Sequence, residues 1–225
     1  MRWRSRSLIA AGLAVASASP ALACSFGQNH RFLMIPADAI LMGVEAIYTL
    51  GDYPVLVASL NASIKAGDKV VIVPTVGMCR YEEGSFSETV VAFGASAGVN
   101  LWNDAAGKMS LNGQVGFEMD SFEGGSERNI PIGAAIRIKS SETMSWYAGA
   151  ALNMYTIDID GSGSHSESDP SVHGGAVFAM GKGTLSAGIV AFMGDETDLA
   201  LNLGASFPMG GGSSALRKIG SLFRR

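Results

Sequence analysis

Apolar residues recur at every second position over most of this chain. In ETVVAFGASAGVNLW, Thr89, Val91, Phe93, Ala95, Ala97, Val99 and Leu101 form one face. Glu88, Val90, Ala92, Gly94, Ser96, Gly98 and Asn100 form the other. KMSLNGQVGFEMD, NIPIGAAIRIK and TMSWYAGAALNMY repeat the pattern, and segments near 171–181, 184–193 and 198–207 follow it less cleanly. Upstream, VLVASLNASIK alternates well and KVVIVPTVGMCRY more weakly. A period of two sustained over ten or so residues predicts β-strands with one apolar and one polar face.

The connections differ in kind. AGDK, NDAAGK, SSE and GKG are short and turn-like, with Gly, Asn and Asp suited to tight backbone. EEGSFS, DSFEGGSER, DIDGSGSHSESD and GDETD are mostly longer and acidic, and they alternate with the first set. An antiparallel meander with tight turns at one end and longer loops at the other is the layout of an outer-membrane barrel. Eight strands fit between residues 69 and 207. Strand 54–65 makes nine, an odd number that such barrels avoid. DAILMGVEAIYTL, at 38–50, supplies a tenth through Ile40, Met42, Val44, Ala46 and Tyr48 against Gly43, Glu45 and Thr49. The fold expected is all-β, an antiparallel up-and-down transmembrane β-barrel. Ten strands are preferred, with eight strands plus an N-terminal segment as the alternative.

The ends have their own character. MRWRSRSLIAAGLAVASASPALAC joins a basic start, a short apolar run and an Ala-x-Ala site, the pattern of a secretory signal peptide over residues 1–23. The mature chain then begins at Cys24, and residues 24–37 form a lead-in to a barrel over 38–208. Residues 209–225 are a Gly-rich linker and a basic tail with Leu216, Ile219, Leu222 and Phe223 at helical spacing. The only other cysteine is Cys79. An even pair in an exported chain points to a disulfide, while a Cys just after the leader also admits lipidation or a free thiol. Of 16 basic and 20 acidic side chains, three basic ones leave with the leader, which takes the balance from −4 to −7. That acidity argues against nucleic acid as a partner. Few residues are charged, yet no mature segment offers the uninterrupted apolar run of a transmembrane helix.

With the leader, the alternating strands, the two kinds of connection and LALNLGASF ending on Phe207, residues 38 to 207 resemble the small outer-membrane β-barrel proteins of Gram-negative bacteria. The resemblance implies export through the inner membrane and residence in the outer membrane, among its lipids and lipopolysaccharide. It also implies handling by the barrel-assembly machinery, which reads a terminal strand ending on an aromatic residue. Here PMGGGSSALRKIGSLFRR follows Phe207, a departure from that pattern. The implied roles are structural, adhesive or small-pore, without catalysis. The alternatives are a soluble exported barrel holding a small apolar ligand, and a barrel enzyme acting on lipid A or peptides. Against the soluble form stands the polar face, which is Gly, Ser, Asn and Ala rather than Lys and Glu and so suits a crowded barrel interior. Trp102, Trp146 and Phe117, near strand ends, suit an interfacial girdle.

Candidate chemistry is sparse. DIDGSGSHSESD mimics a calcium loop through Asp158, Asp160 and Asp169, but its flanks alternate as strands whereas an EF-hand needs helices. It reads as an acidic hairpin with at most weak divalent-cation binding, and no other cofactor is expected. Glu82, Glu83, Asp120, Glu123, Glu127, Asp160, Glu167, Asp169, Asp195, Glu196 and Asp198 are expected at one rim, where solubility explains them as well as cation bridges to lipopolysaccharide do. Glu45, Glu88, Glu118, Arg137 and Lys139 are expected to face the lumen. An enzyme would rest on His173 with Asp169 or Ser171, a spacing that specifies nothing.

Overall fold

The structure, a computed structural model, describes residues 40–50, 54–66, 68–83, 86–181, 183–194 and 197–209. The leader, Cys24 and the basic tail lie outside these residues. Ten strands follow one another: β1 (Leu41–Leu50), β2 (Val55–Lys65), β3 (Val70–Glu83), β4 (Phe86–Asn103), β5 (Met109–Phe122), β6 (Gly125–Lys139), β7 (Met144–Ile159), β8 (Gly163–Met180), β9 (Gly183–Met193) and β10 (Thr197–Pro208). Each pairs antiparallel with its neighbours in sequence, and β1 pairs with β10, so the sheet closes. Closure leaves the sheet with no first or last strand, which is the condition for crossing lipid. Leu41–Leu50 is thus a strand, and the barrel has ten strands rather than eight.

The period-two pattern becomes an inside and an outside. On β1, Val44 and Tyr48 are more than 40% exposed while Glu45 and Thr49 are buried. Similar alternation on β2, β3, β6 and β7 puts Leu60, Val76, Ile132 and Trp146 outward. Large apolar side chains therefore cover the outer wall, a belt that only lipid can bury. Trp102, Trp146, Phe178 and Phe207 mark the belt near the end where the chain termini of the barrel lie. At Leu101 a bulge shifts the register between Asn100 and Trp102, so Leu101 and Trp102 both point out. Phe117 also faces out, five residues short of the end of β5 and so within the belt.

The expected contrast in loop length is absent. Connections are two to five residues at the termini end and two to four at the far end. The acidic stretches are instead strands that run on into tight hairpins. Gly124, at φ 95°, turns β5 into β6 within two residues, a backbone conformation that glycine adopts without strain. The far rim is uneven. Residues 163–170 of β8 pair with β7 but not with β9, and residues 86–91 of β4 pair with β3 but not with β5. Strands β4 to β8 thus form a tall wall, and β9, β10, β1 and β2, of 10 to 12 residues, a low one.

Candidate functional site

The lumen carries the unusual chemistry of this barrel, and it has two sides. Lining the far half of the lumen, from β9 and β10 through β1 and β2 to β3 and β4, are Ile47, Val55, Val57, Cys79, Val90, Ala92, Val190, Phe192 and Ala200, all buried, with Phe122 packed against them. The expected lumenal face of Gly, Ser, Asn and Ala holds in the near half, where Ser59, Asn61, Ser63, Asn112 and Ser206 are buried. Sequence reasoning placed Val90 on the inner face but not this apolar patch. The patch arises because β9, β10 and β1 to β4 each bring one or two apolar residues to the same part of the lumen. Register pairs Ile47 with Val57, Val57 with Cys79 and Cys79 with Val90.

Opposite, the tall wall is acidic and amide-rich. Asp120 faces Glu127 directly across β5 and β6, and Glu118 faces Asn129. Asp120, Glu127, Asn129, Asn153 and Tyr155 are buried. Asn129 Nδ2 donates to Glu118 Oε2 at 2.9 Å, and Asn153 Nδ2 donates to Ser171 Oγ at 3.0 Å. Glu127 Oε1 and the Tyr155 hydroxyl are buried without a hydrogen-bond partner among the described residues. Outside, Glu127 is level with Arg128, beyond the last apolar residue, Ile130. There, burial and then the Asp120 and Glu118 carboxylates push the Glu127 carboxyl well above the usual range.

This placement corrects the expectation for Asp120 and Glu127, which are lumenal rather than surface-loop residues. The signal was present: Gln114, Gly116, Glu118 and Asp120 continue one parity of β5, and Glu127, Asn129, Pro131 and Gly133 continue one parity of β6. Their acidity suggested a loop and broke the alternation off too early.

Glu45, Glu88, Glu118 and Arg137 stand at positions of inner parity on β1, β4, β5 and β6. Glu45 Oε1 accepts from Asn202 Nδ2 at 2.6 Å, and Glu88 Oε1 accepts from the Glu123 backbone N–H at 3.1 Å. Arg137 Nε donates to Ser145 Oγ at 3.1 Å. Lys139, the last residue of β6, is exposed at the near mouth rather than enclosed.

The structure does not gather the three suspected cation ligands. Asp158 is bound by the Ser164 hydroxyl and pairs with Arg128 Nη2 at 2.6 Å. These bonds, Ser164 first, hold its carboxyl below the usual range. Asp160 is exposed in the turn, while Asp169 lies deeper on β8, paired with Asn153 and beside Gly194. His173, Ser171 and Asp169 share the inner parity of β8. His173 is buried mid-barrel, its ring packed on Gly149 and 6.3 Å from that of Tyr147. Cys79 is disulfide-bonded, and Cys24, the partner expected from the sequence, lies outside the described residues.

No family model and no curated protein matches the chain. Solved structures do. The translocator domain of autotransporter NalP from Neisseria meningitidis is 13% identical, covers 91% of this chain and 98% of its own, and superposes with a TM-score of 0.50. The beta domain of the Bordetella autotransporter BrkA is 11% identical over 76% of this chain and 100% of its own, with a TM-score of 0.53. An outer membrane channel from Pseudomonas putida F1 is 11% identical over 81% of this chain and 99% of its own, also with a TM-score of 0.53. At such identities the likeness is one of fold. Together with the lipid-facing belt, it gives this chain the fold of the outer-membrane β-barrels, here with ten strands.

Proposed function

We propose that this barrel is a closed, non-catalytic outer-membrane protein whose work is done at its cell-surface rim. The carrying observation is the dry far half of the lumen. Ile47, Val55, Val57, Val90, Val190 and Phe192 are each at most 5% exposed. A water-filled channel would leave such a wall wet. A closed lumen favours a structural or surface-interaction role over a small pore.

The rim supports the same reading. Arg128 and Arg80 point outward near the upper edge of the belt, and Asp158, Asp160 and Glu167 stand among or beyond them. This mixture suits contact with lipopolysaccharide, its phosphates meeting the arginines and divalent cations linking them to the carboxylates. Insertion there would follow delivery by the barrel-assembly machinery. A catalytic reading has less support, because His173 lies deep in the wall rather than at a rim open to lipid or peptide. The soluble alternative needed its apolar face inside, whereas that face is outside.

The test is conductance. Purified protein that shifts in SDS gels on boiling is added to planar bilayers at 1 M salt, a probe condition. No steady ohmic step is expected. A reproducible open channel would remove the closed-barrel reading and restore the small pore.

A further inference from the structure

We propose that residues 24–39 of this chain occupy the far half of the lumen as a plug, fastened there by a Cys24–Cys79 disulfide. The proposal rests on the closed-lumen reading and names what closes it.

Three observations meet. First, Cys79 is disulfide-bonded, and the chain holds one other cysteine, Cys24. Cys79 is 0% exposed and points into the lumen from β3, so whatever is bonded to it must enter the barrel. Second, the wall around Cys79 is apolar and dry. In a ten-stranded barrel, residues as small as Ala92 and Ala200 do not reach across the lumen, yet both are 0% exposed. Phe122 and Phe192 pack within this wall, and in the proposed arrangement the segment adds to their cover. Third, the segment matches both walls. CSFGQNHRFLMIPADA carries Phe26, Phe32, Leu33, Met34 and Ile35 for the aliphatic side. It brings Arg31 to the side where Glu118, Asp120 and Glu127 face inward.

The reach is sufficient. Ile40 stands at the near end, and Cys79 is level with Ile47 through Val57. Seven residues of strand rise roughly 24 Å. The chain from Cys24 to Ile40, about sixteen residues, spans up to roughly 50 Å when extended. Even helical it would cover about 24 Å. Closing the bond joins the two sulfurs and releases two electrons and two protons, accepted by a disulfide-bearing oxidant of the periplasm. Because Cys79 is buried, that step precedes or accompanies insertion.

Two measurements decide it. Non-reducing peptide mapping of the mature, heat-shifting protein is expected to show Cys24 linked to Cys79 within one chain. A lipid on Cys24, or two free thiols, would overturn the proposal. The second reads occupancy. In a C24S/C79S background, Val90→Cys is challenged with a membrane-impermeant maleimide in detergent, with and without residues 25–37, each barrel checked by its heat shift. Labelling at least tenfold faster in the shortened chain is expected. Equal rates would show that the segment does not cover the wall, even where bilayers stay silent and the closed-lumen reading survives. If the shortened chain gives no heat shift, Phe32→Cys with Val190→Cys in the full-length background decides, with an internal cross-link expected and its absence overturning the plug.

Discussion

Asn202 on β10 donates its amide to the Glu45 carboxylate on β1 at 2.6 Å, joining side chains 157 positions apart inside the seam that closes the barrel. The β1–β10 seam joins the two ends of the barrel sequence, so its contacts carry the largest sequence separation in the sheet. Asn202→Ala is expected to lower stability by about 1–3 kcal/mol, because a charged acceptor loses its donor inside the wall. The measurement is the temperature at which the fast-migrating form converts to the slow one in SDS. An unchanged conversion temperature would mean that the backbone ladder alone holds the seam.

Tyr147 lies flat across two neighbouring strands. Its hydroxyl rests against Gly175 on β8 and Gly188 on β9, which pair with each other. A Cβ at either glycine would collide with it. Gly188→Ala is expected to cost roughly 1–3 kcal/mol by overpacking. Tyr147→Phe, which removes the colliding oxygen, is expected to restore part of that loss in the double variant, though not in the single one. Additive losses in a double-mutant cycle would argue against the contact.

Legibility in the sequence followed the strength of the alternation. Strand residues such as Val44, Leu60 and Ile132 show their outward face because lipid demands apolar side chains at every second place. Strand β1 was harder, since DAILMGVEAIYTL also suits a helix, and its alternation together with the even count favoured a strand. The hairpins were misjudged for one reason. Past the belt, the outer face needs no apolar residues, so Ser126, Arg128, Thr156 and Asp158 look like loop although they remain paired. The lumenal patch around Cys79 was invisible because it is assembled across six strands, each giving a residue or two. Aliphatic pairs such as Val55 and Val57 leave no local trace of what they meet.

Glu127 offers a test of the acidic wall through pH. Its carboxyl titrates near 4.3 in an unfolded chain, by the usual order of such groups. In the barrel, burial and the neighbouring Asp120 and Glu118 carboxylates raise that value well above its ordinary range. Between the two values the folded state holds a proton that the unfolded state has lost. Stability therefore falls as pH rises through this window. Glu127→Gln removes the group from the balance. The variant is expected to show a smaller drop in conversion temperature between pH 5 and pH 8 than the parent, as probe conditions. An equal drop in both proteins would place the pH dependence elsewhere.

Calcium gives the last test, and geometry decides its direction. Asp158 is in register with Ser164, five positions before Asp169 on β8. At roughly 3.4 Å per residue the two carboxylates attach to the backbone about 17 Å apart. They also face opposite ways, since Asp158 joins outward Arg128 and Asp169 shares the inner parity of Ser171. A calcium ion needs oxygens within about 2.6 Å of itself, so one ion does not bridge them. Millimolar calcium is therefore expected to leave the conversion temperature of lipopolysaccharide-free protein unchanged, and Asp158→Asn to alter nothing in that titration. If lipopolysaccharide supplies the remaining oxygens, the same titration in its presence will raise the temperature, and Asp158→Asn together with Asp160→Asn will reduce the rise. A calcium effect without lipopolysaccharide would instead mean that the β7–β8 hairpin folds back on itself in solution.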